Sequence, residues 1–358
     1  MYYSLLNMDI RDKFDDKVVE KMGEINWEWV EERYREEGPE FKSFFIPYGF
    51  PEVTDITVTE YGPTKGVEVQ PKWDIPEEVI ITVAVTGAFY SKRQNPTHPI
   101  SPEEIYEESA EVLKTGASSV HIHARDKDGY YTLDPEIYHK IIDPLRKDYP
   151  DALIDGCLVP FSTGDWELFE RLVEDGIFDI SPVNPTACYA GDTLFAKPPH
   201  VLIKKTKILQ DAGVKPQVAV YTDGDVDNAN RYLIKTGLLE KPYYWIILPT
   251  LPGGSPMYDP KTMVEGLVRI VNLIHKIDDE SVIMVCAAGR ASSYLTTLAM
   301  LLGLHVRVGK EDTIYKWPHK DDRIQKNVEA YEMAATIAKN LGRKVATYDE
   351  YRKMIGMK

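Results

Sequence analysis

The stretch Ser101-Pro-Glu-Glu-Ile-Tyr-Glu-Glu-Ser-Ala-Glu-Val-Leu-Lys-Thr-Gly-Ala-Ser-Ser-Val-His-Ile-His-Ala124 carries one helix and one strand in direct succession. Ser101 supplies a capping hydroxyl, Pro102 the fixed φ of a first helical position, and Glu104 a carboxylate able to reach back to the cap. Gly116 stands just past the helix end, where a left-handed residue is wanted. From Ser118 the pattern changes to an alternation. Val120, Ile122 and Ala124 share one face, His121 and His123 the other.

Working outward, the same unit repeats. Strands are predicted at Val79–Val85, Ser118–Ala124, Ala152–Leu158, Phe178–Ser181, Pro216–Tyr221, Tyr243–Leu248, Ser281–Cys286 and His305–Val308. Helices are predicted at Pro102–Thr115, Pro135–Lys147, Trp166–Asp175, Pro198–Ala212, Asp225–Thr236, Pro260–Lys276, Ser292–Leu302 and Asp322–Asn340. Eight strand–helix units spell an α/β fold, a (β/α)8 TIM barrel. A doubly wound open sheet is the alternative, but the first strand runs into Thr86-Gly-Ala-Phe89 rather than a Gly-rich phosphate turn. Residues 73–358 form the expected barrel. Residues 1–72 are polar, acidic and aromatic-rich, an N-terminal extension read as a packing arm or a lid. Within it Asp15–Glu36 reads as helical, with Val19, Met22, Ile25, Trp29 and Val30 at helical spacing, and Phe44–Val53 as irregular.

Composition narrows the function. The chain has 358 residues, 43% hydrophobic and 28% charged, with a net charge of −15. A chain this long hides about 75% of its unfolded surface, enough for a core without staples. The negative field disfavours nucleic acid and anionic membranes as partners. No apolar run reaches the ~18 residues of a membrane span. Three widely spaced cysteines, Cys157, Cys188 and Cys286, and a start without a secretory pattern point to the cytoplasm.

In a barrel, chemistry sits at the carboxyl ends of the strands. There the two imidazoles of His121 and His123 face inward and suit a shared divalent ion, Zn²⁺ by default; hydrogen-bonded interior polar groups fit the spacing equally well. A third ligand is sought in His305-Val-Arg-Val-Gly-Lys-Glu-Asp312, where Glu311 and Asp312 divide into ligand and base and Arg307 pairs with them or with an anion. A solvated acidic loop is the bland alternative. Ser162, Thr163 and their backbone N–H groups open a helix and can bind an anion, or simply cap it. Asn184-Pro-Thr186 follows the fourth strand. Gly289, Arg290 and Ser292 follow the seventh, where barrels often hold phosphate.

The ordered set Thr86-Gly-Ala88, Asn95-Pro96, Ile100-Ser-Pro-Glu-Glu-Ile105, Gly116-Ala117, His121-Ile-His-Ala-Arg-Asp126, Ser162-Thr-Gly164, Gly289-Arg290 and Arg307-Val-Gly-Lys-Glu-Asp312 resembles the β-keto acid cleavage enzyme family, from about Ile80 to Met357. The resemblance implies a (β/α)8 fold and zinc held by His121, His123 and Glu311. It implies condensation of a β-keto acid with acetyl-CoA and retro-Claisen splitting to acetoacetate and a new acyl-CoA. Asp312 becomes the base, expected to take a proton from the acetyl methyl. Arg307 becomes its partner and anion anchor, and Ser162 and Thr186 become substrate contacts. The family is also one of homo-oligomers, often tetramers. Four features depart from its pattern, among them the stretch Lys215-Pro-Gln-Val-Ala219, which lacks the expected acidic residues, and the 72-residue arm. Phe89 stands where members handling amino-substituted substrates carry an acidic residue, so a neutral or apolar substrate side chain is expected. Lys310 replaces the usual leucine. Another divalent-metal barrel aldolase or hydrolase, and a non-catalytic metal- or ligand-binding assembly protein, are the competing readings.

Overall fold

The computed structural model describes residues 23–39, 63–67, 72–251, 254 and 258–357. The chain divides into two units, Met1–Asp74 and Ile75–Lys358. In the first, a helix runs from Trp27 to Glu37, capped by Asn26, whose side chain accepts from the Trp29 N–H. Ile25 is not helical as its spacing predicts. It lies in a two-residue strand, Glu24–Ile25, antiparallel to Thr64–Lys65, because the Asn26 cap sets the helix start after it. The helical reading of Asp15–Met22, including Val19 and Met22, and the irregular reading of Phe44–Val53 lie outside the described residues.

The second unit is a closed barrel of eight parallel strands: β1 (Ile81–Ala84), β2 (Ser119–Ile122), β3 (Leu153–Gly156), β4 (Ile180–Val183), β5 (Lys215–Val220), β6 (Tyr244–Ile247), β7 (Val282–Cys286) and β8 (His305–Val308). Each pairs with the next, and β8 closes on β1 through Val306–Val308 against Ile81–Val83. Helices follow the strands: α1 (Pro102–Thr115), α2 (Pro135–Asp148), α3 (Thr163–Glu174), α4 (Pro199–Asp211), α5 (Asp223–Ala229), α6 (Pro260–His275), α7 (Ser292–Leu301) and α8 (Asn327–Asn340). A ninth, α9 (Tyr348–Met354), ends the chain's described structure.

Local chemistry accounts for several boundaries. At α1 the capping box forms as read, Glu104 N–H donating to Ser101 Oγ and Ser101 N–H to Glu104 Oε2. Gly116 closes it at φ 112°. α3 starts three residues earlier than predicted, since Ser162 and Asp165 make a second capping box. α5 gives way at Asn230 to a single π turn, Asn230–Ile234. α8 starts at Asn327 rather than Asp322. The intervening chain is held instead by the Lys316 N–H on Asp322 O and the Ile324 N–H on Ile314 O.

Alternation divides the barrel into two apolar layers. Val120, Ile122, Val218, Val220, Val306 and Val308 pack outward against the helices. Leu153, Ala219, Ile246 and Met284 fill the interior, and Tyr351 and Ile355 close its floor. The Tyr244 and Tyr351 hydroxyls meet there at 2.6 Å. Buried polar side chains share this lower layer, Thr82 Oγ1 and Ser119 Oγ meeting at 2.7 Å and Gln217 Nε2 reaching Met284, while the charged inward-pointing groups collect at the carboxyl ends of the strands.

Candidate metal centre and active site

His121 is the last inward-pointing residue of β2, and His123 is the first beyond it. Both are buried. The chain bends after Ile122, and Ala124–Arg125 leaves the barrel to pair with Tyr131–Thr132. Arg125 holds that bend. Its guanidinium donates to the carbonyls of Gly129 at 2.7 Å and Tyr90 at 2.9 Å, and also to that of Gly87. The Tyr131 ring stands edge-on to His123, 5.6 Å between centroids.

Register then supplies partners. His121 lies across from Asp155 and Ile122 across from Gly156. His121 Nδ1 meets Asp155 Oδ2 at 2.6 Å, which fixes the ring and leaves Nε2 aimed into the mouth. From the turn after β8, Glu311 completes a triangle. The two Nε2 atoms are 3.2 Å apart, Glu311 Oε2 is 3.4 Å from His121 Nε2, and Oε1 is 3.3 Å from His123 Nε2. Ligands about 2.0–2.1 Å from a tetrahedral centre stand about 3.3–3.4 Å from one another. Glu311 Oε2 and His123 Nδ1 are buried and close no hydrogen bond. The residues therefore fit a divalent ion in number, donor type and spacing.

Electrostatics agree. Burial pushes the His121 imidazole down, but the Asp155 and Glu311 carboxylates outweigh it and hold it up at about 10. His123 is likewise pushed down by burial and held up, at about 9, by Cys157 and Glu311. Glu311 stays well below the usual carboxylate range. Burial opposes this, and Arg307, His123 and His121 overcome it. Both imidazoles thus favour their protonated form, and an ion held by these residues would have to displace those protons.

Beside this triangle lies the base candidate. Arg307, inward-pointing on β8, donates to Asp312 Oδ1 at 2.6 Å and Oδ2 at 3.2 Å, and to Glu311 Oε1 at 3.1 Å. Burial raises the Asp312 carboxyl above the usual aspartate range. Arg307 pulls against that shift, and the Glu311 charge adds to it. A carboxylate with a raised pKa is a stronger base, which suits proton abstraction.

The structure thus brings His121, His123, Arg307, Glu311 and Asp312 together. Gly289 joins them through its backbone, its N–H donating to Asp312 O at 2.7 Å. The other predicted positions lie outside this cluster, and the Thr186 hydroxyl is buried without a hydrogen bond. Ser162 is exposed and its Oγ caps α3, accepting from Asp165 N–H. Thr186 is buried beyond β4. Arg290 pairs with Asp321, donates to Lys320 O, and lies 3.9 Å over the Tyr315 ring. Ser292 is buried, its carbonyl accepting from Thr296 Oγ1. Phe89 is 61% exposed beyond β1. Lys310 is wholly buried, its Nζ donating to Thr97 O, Gln325 O and Glu108 Oε1.

Two residues at the mouth escaped the sequence reading, Asp155 and Cys157. Leu153, Asp155 and Cys157 alternate on β3 and its end as the histidines do on β2, and that alternation was the available signal. Among the described residues, ligand atoms of His121, His123 and Cys157 all lie within 4.8 Å of one another.

The family model described as beta-keto acid cleavage enzyme matches residues 78–357. The chain belongs to the β-keto acid cleavage enzyme family. Relatives within or near it include the 3-keto-5-aminohexanoate cleavage enzyme of Fusobacterium nucleatum, 32% identical over 79% of this chain and 99% of the relative. The 3-dehydrocarnitine:acetyl-CoA trimethylamine transferase of Rhizobium meliloti is 24% identical over 78% of this chain and 96% of its own. The 3-oxoadipate:acetyl-CoA acetyltransferase of Cupriavidus necator is 22% identical over 78% and 94%. Among solved structures, the ternary complex of ObcA with a C4-CoA adduct and oxalate superposes with a TM-score of 0.63 at 20% identity, covering 73% of this chain and 68% of that one. At that identity the likeness concerns the barrel fold. No described helix of this β-keto acid cleavage enzyme homologue is long and apolar enough to cross a membrane.

Proposed function

We propose that the protein is a zinc-dependent β-keto acid cleavage enzyme that exchanges acyl groups between a β-keto acid and acetyl-CoA, yielding acetoacetate and a new acyl-CoA. The observation that carries the reading is the triangle of His121, His123 and Glu311 donor atoms, 3.2–3.4 Å on a side, with the Arg307–Asp312 pair against it. A divalent ion held by those three residues supplies a Lewis acid for the substrate's keto oxygen.

The atom balance decides where Asp312 acts. Acetoacetate must contain the acetyl carbonyl joined to the CH₂–COO⁻ of the keto acid. The new bond therefore runs from C2 of the keto acid to the acetyl carbonyl carbon. The proton Asp312 removes is the acidic one on C2, between keto and carboxylate groups, and not one on the acetyl methyl as the sequence reading expects. The C2 carbanion attacks the thioester and the CoA thiolate leaves. The thiolate adds to the original keto carbon, the bond from that carbon to C2 breaks, and C2 recovers its proton from Asp312. Asp312 ends as it began, ionised. Throughout, Arg307 holds the Asp312 carboxylate in place by two hydrogen bonds and stabilises its charge.

Ser162 and Thr186 are the proposed substrate contacts, and Gly289, Arg290 and Ser292 the proposed contacts to CoA phosphate. The Arg290–Asp321 pair is solvent-exposed, 42% and 89% on its two sides. Such exposed pairs are weak, so a phosphate can displace the aspartate. Phe89 replaces a carboxylate at the mouth, and the favoured substrates carry a neutral or apolar side chain. Action as a homo-oligomer, tetramers included, and residence in the cytoplasm belong to the same reading.

Incubation with [1-¹³C]acetyl-CoA and a panel of β-keto acids tests it. The label is expected at C3 of acetoacetate, with the new acyl-CoA unlabelled. Acetyl-CoA consumed without acetoacetate, or label retained in the thioester product, overturns the proposal.

A further inference from the structure

The loops after β1, β7 and β8 form one side of the rim, and their charge runs against that of the chain. Beyond Asp312, residues 313–326 carry four cationic side chains and two acidic ones. Residues 85–101 add two cations and no acid, and residues 287–291 add Arg290. Hydrogen bonds sew the three loops together. Asn95 Nδ2 donates to Ile324 O at 2.8 Å, Thr97 Oγ1 to Gln325 O at 2.7 Å, and the Arg323 guanidinium to Gln94 O. From the β7 turn Arg290 donates to Lys320 O at 2.7 Å and lies over the Tyr315 ring. This side is continuous with the site, because Arg290 directly follows Gly289, whose N–H donates to Asp312 O.

Part of this charge is neutralised within the fold. Lys92, Lys316 and Lys326 pair with Glu104, Glu329 and Glu111, which lie on α1 and α8. Arg93, Lys320 and Arg323 are exposed and, among the described residues, form no ion pair. Asp322 is exposed in the same loop and reduces the positive charge without cancelling it. That loop also holds Trp317, 39% exposed, with no ring or cation against its indole among the described residues. An indole in solvent beside unpaired cations combines a stacking face for a base with an anchor for phosphate. We propose that this side of the rim binds the adenosine 3′,5′-bisphosphate end of acetyl-CoA. The adenine stacks on Trp317, Arg93, Lys320 and Arg323 hold the phosphates, and Arg290 exchanges Asp321 for a phosphate oxygen. The proposal rests on the reading of acetyl-CoA as co-substrate and deepens it, since it fixes the side of the mouth from which the thioester enters. The thioester arm then passes Tyr315 and Arg290 on its way to Asp312.

The test is calorimetric titration of the full chain with adenosine 3′,5′-bisphosphate, which lacks the thioester arm and reads the rim without turnover. The wild type is expected to bind it more tightly than inorganic phosphate, to release it to acetyl-CoA, and to bind it less well as salt is added. Trp317→Ala is expected to weaken binding roughly tenfold, as the loss of one stacked base does. Lys320→Glu is expected to weaken it comparably, whereas Lys276→Glu, the same charge change on an exposed lysine at the far end of α6, leaves it unchanged. No binding by the wild type, binding no tighter than that of inorganic phosphate, failure of acetyl-CoA to displace the bisphosphate, or unaltered affinity in either rim variant overturns the assignment, even where acetoacetate is formed. Weakened binding in both rim variants, with no acetoacetate from the wild type, upholds the nucleotide site and overturns the acyl exchange.

Discussion

Gly87 has no room for a side chain. It sits at φ +63°, and a Cβ there would stand 2.2 Å from Glu311 Cγ. The residue is therefore part of the wall that aims Glu311 at the imidazoles. Gly87→Ala forces Glu311 aside, and its zinc affinity is expected to drop roughly 10–100-fold, the range seen when groups orienting a ligand are lost. Competitive chelator titration measures it, and an unchanged dissociation constant contradicts the close approach. Asp312 gives a second residue-scale prediction. Asp312→Asn keeps the Arg307 contact and the ion but removes the base, so turnover should fall by about 10²–10⁴-fold at constant metal content. The acid limb of the wild-type rate reports the same group. With Asp312 as the proposed base, turnover is expected to fall as pH drops through its raised pKa, above the usual aspartate range. Loss of metal in Asp312→Asn, or full activity, contradicts the assignment. At this scale His121, His123, Glu311, Arg307 and Asp312 were all legible, because strand alternation and neighbouring carboxylates are local patterns. Asp155 and Cys157 were not singled out. Their alternation turns them inward, but their partners are set by the β2–β3 register, a pairing between segments more than thirty residues apart.

Elements were legible where their ends carry their own chemistry. α1 matches its predicted limits, Pro102–Thr115, because Ser101, Pro102, Glu104 and Gly116 specify both ends locally. β8 matches too, His305–Val308. Boundaries slipped where long-range contacts decide them. α8 loses its predicted first turn because Asn327 is clamped from outside. Its N–H and side-chain amide donate to Glu108 Oε2, and its amide also reaches Val85 O. Lys310 belongs to the same clamp, tying the β8 turn to α1 through Glu108. This is why a lysine stands where the family pattern has leucine. It is a fully satisfied staple rather than a reactive amine. Lys310→Met leaves Glu108 and two carbonyls short of their donor. The expected loss is about 3–5 kcal/mol, the cost of breaking a buried ion pair from one side, measured by urea unfolding. A loss under 1 kcal/mol contradicts the staple.

The whole molecule solves an electrostatic problem that its composition poses. A chain with net charge −15 is proposed to work on a carboxylate substrate and a phosphate-bearing thioester. The global field repels both, so positive charge has to be concentrated at the mouth, in Arg307, Arg290 and the ion. The closed sheet makes that concentration possible. Eight strands deliver side chains from distant segments to one rim. The architecture was readable from the eightfold alternation. The substrate is not written in it, since the residues that shape the mouth lie on loops whose paths local patterns do not set. The ion is the point on which the account turns, and stripping it is the most direct measurement. Acetoacetate formation from acetyl-CoA and a β-keto acid is followed in chelator-treated protein, then after one equivalent of Zn²⁺. The account predicts no acetoacetate from the stripped protein and recovery on reloading, with no recovery in His121→Ala. Undiminished acetoacetate formation by protein verified to be metal-free contradicts it.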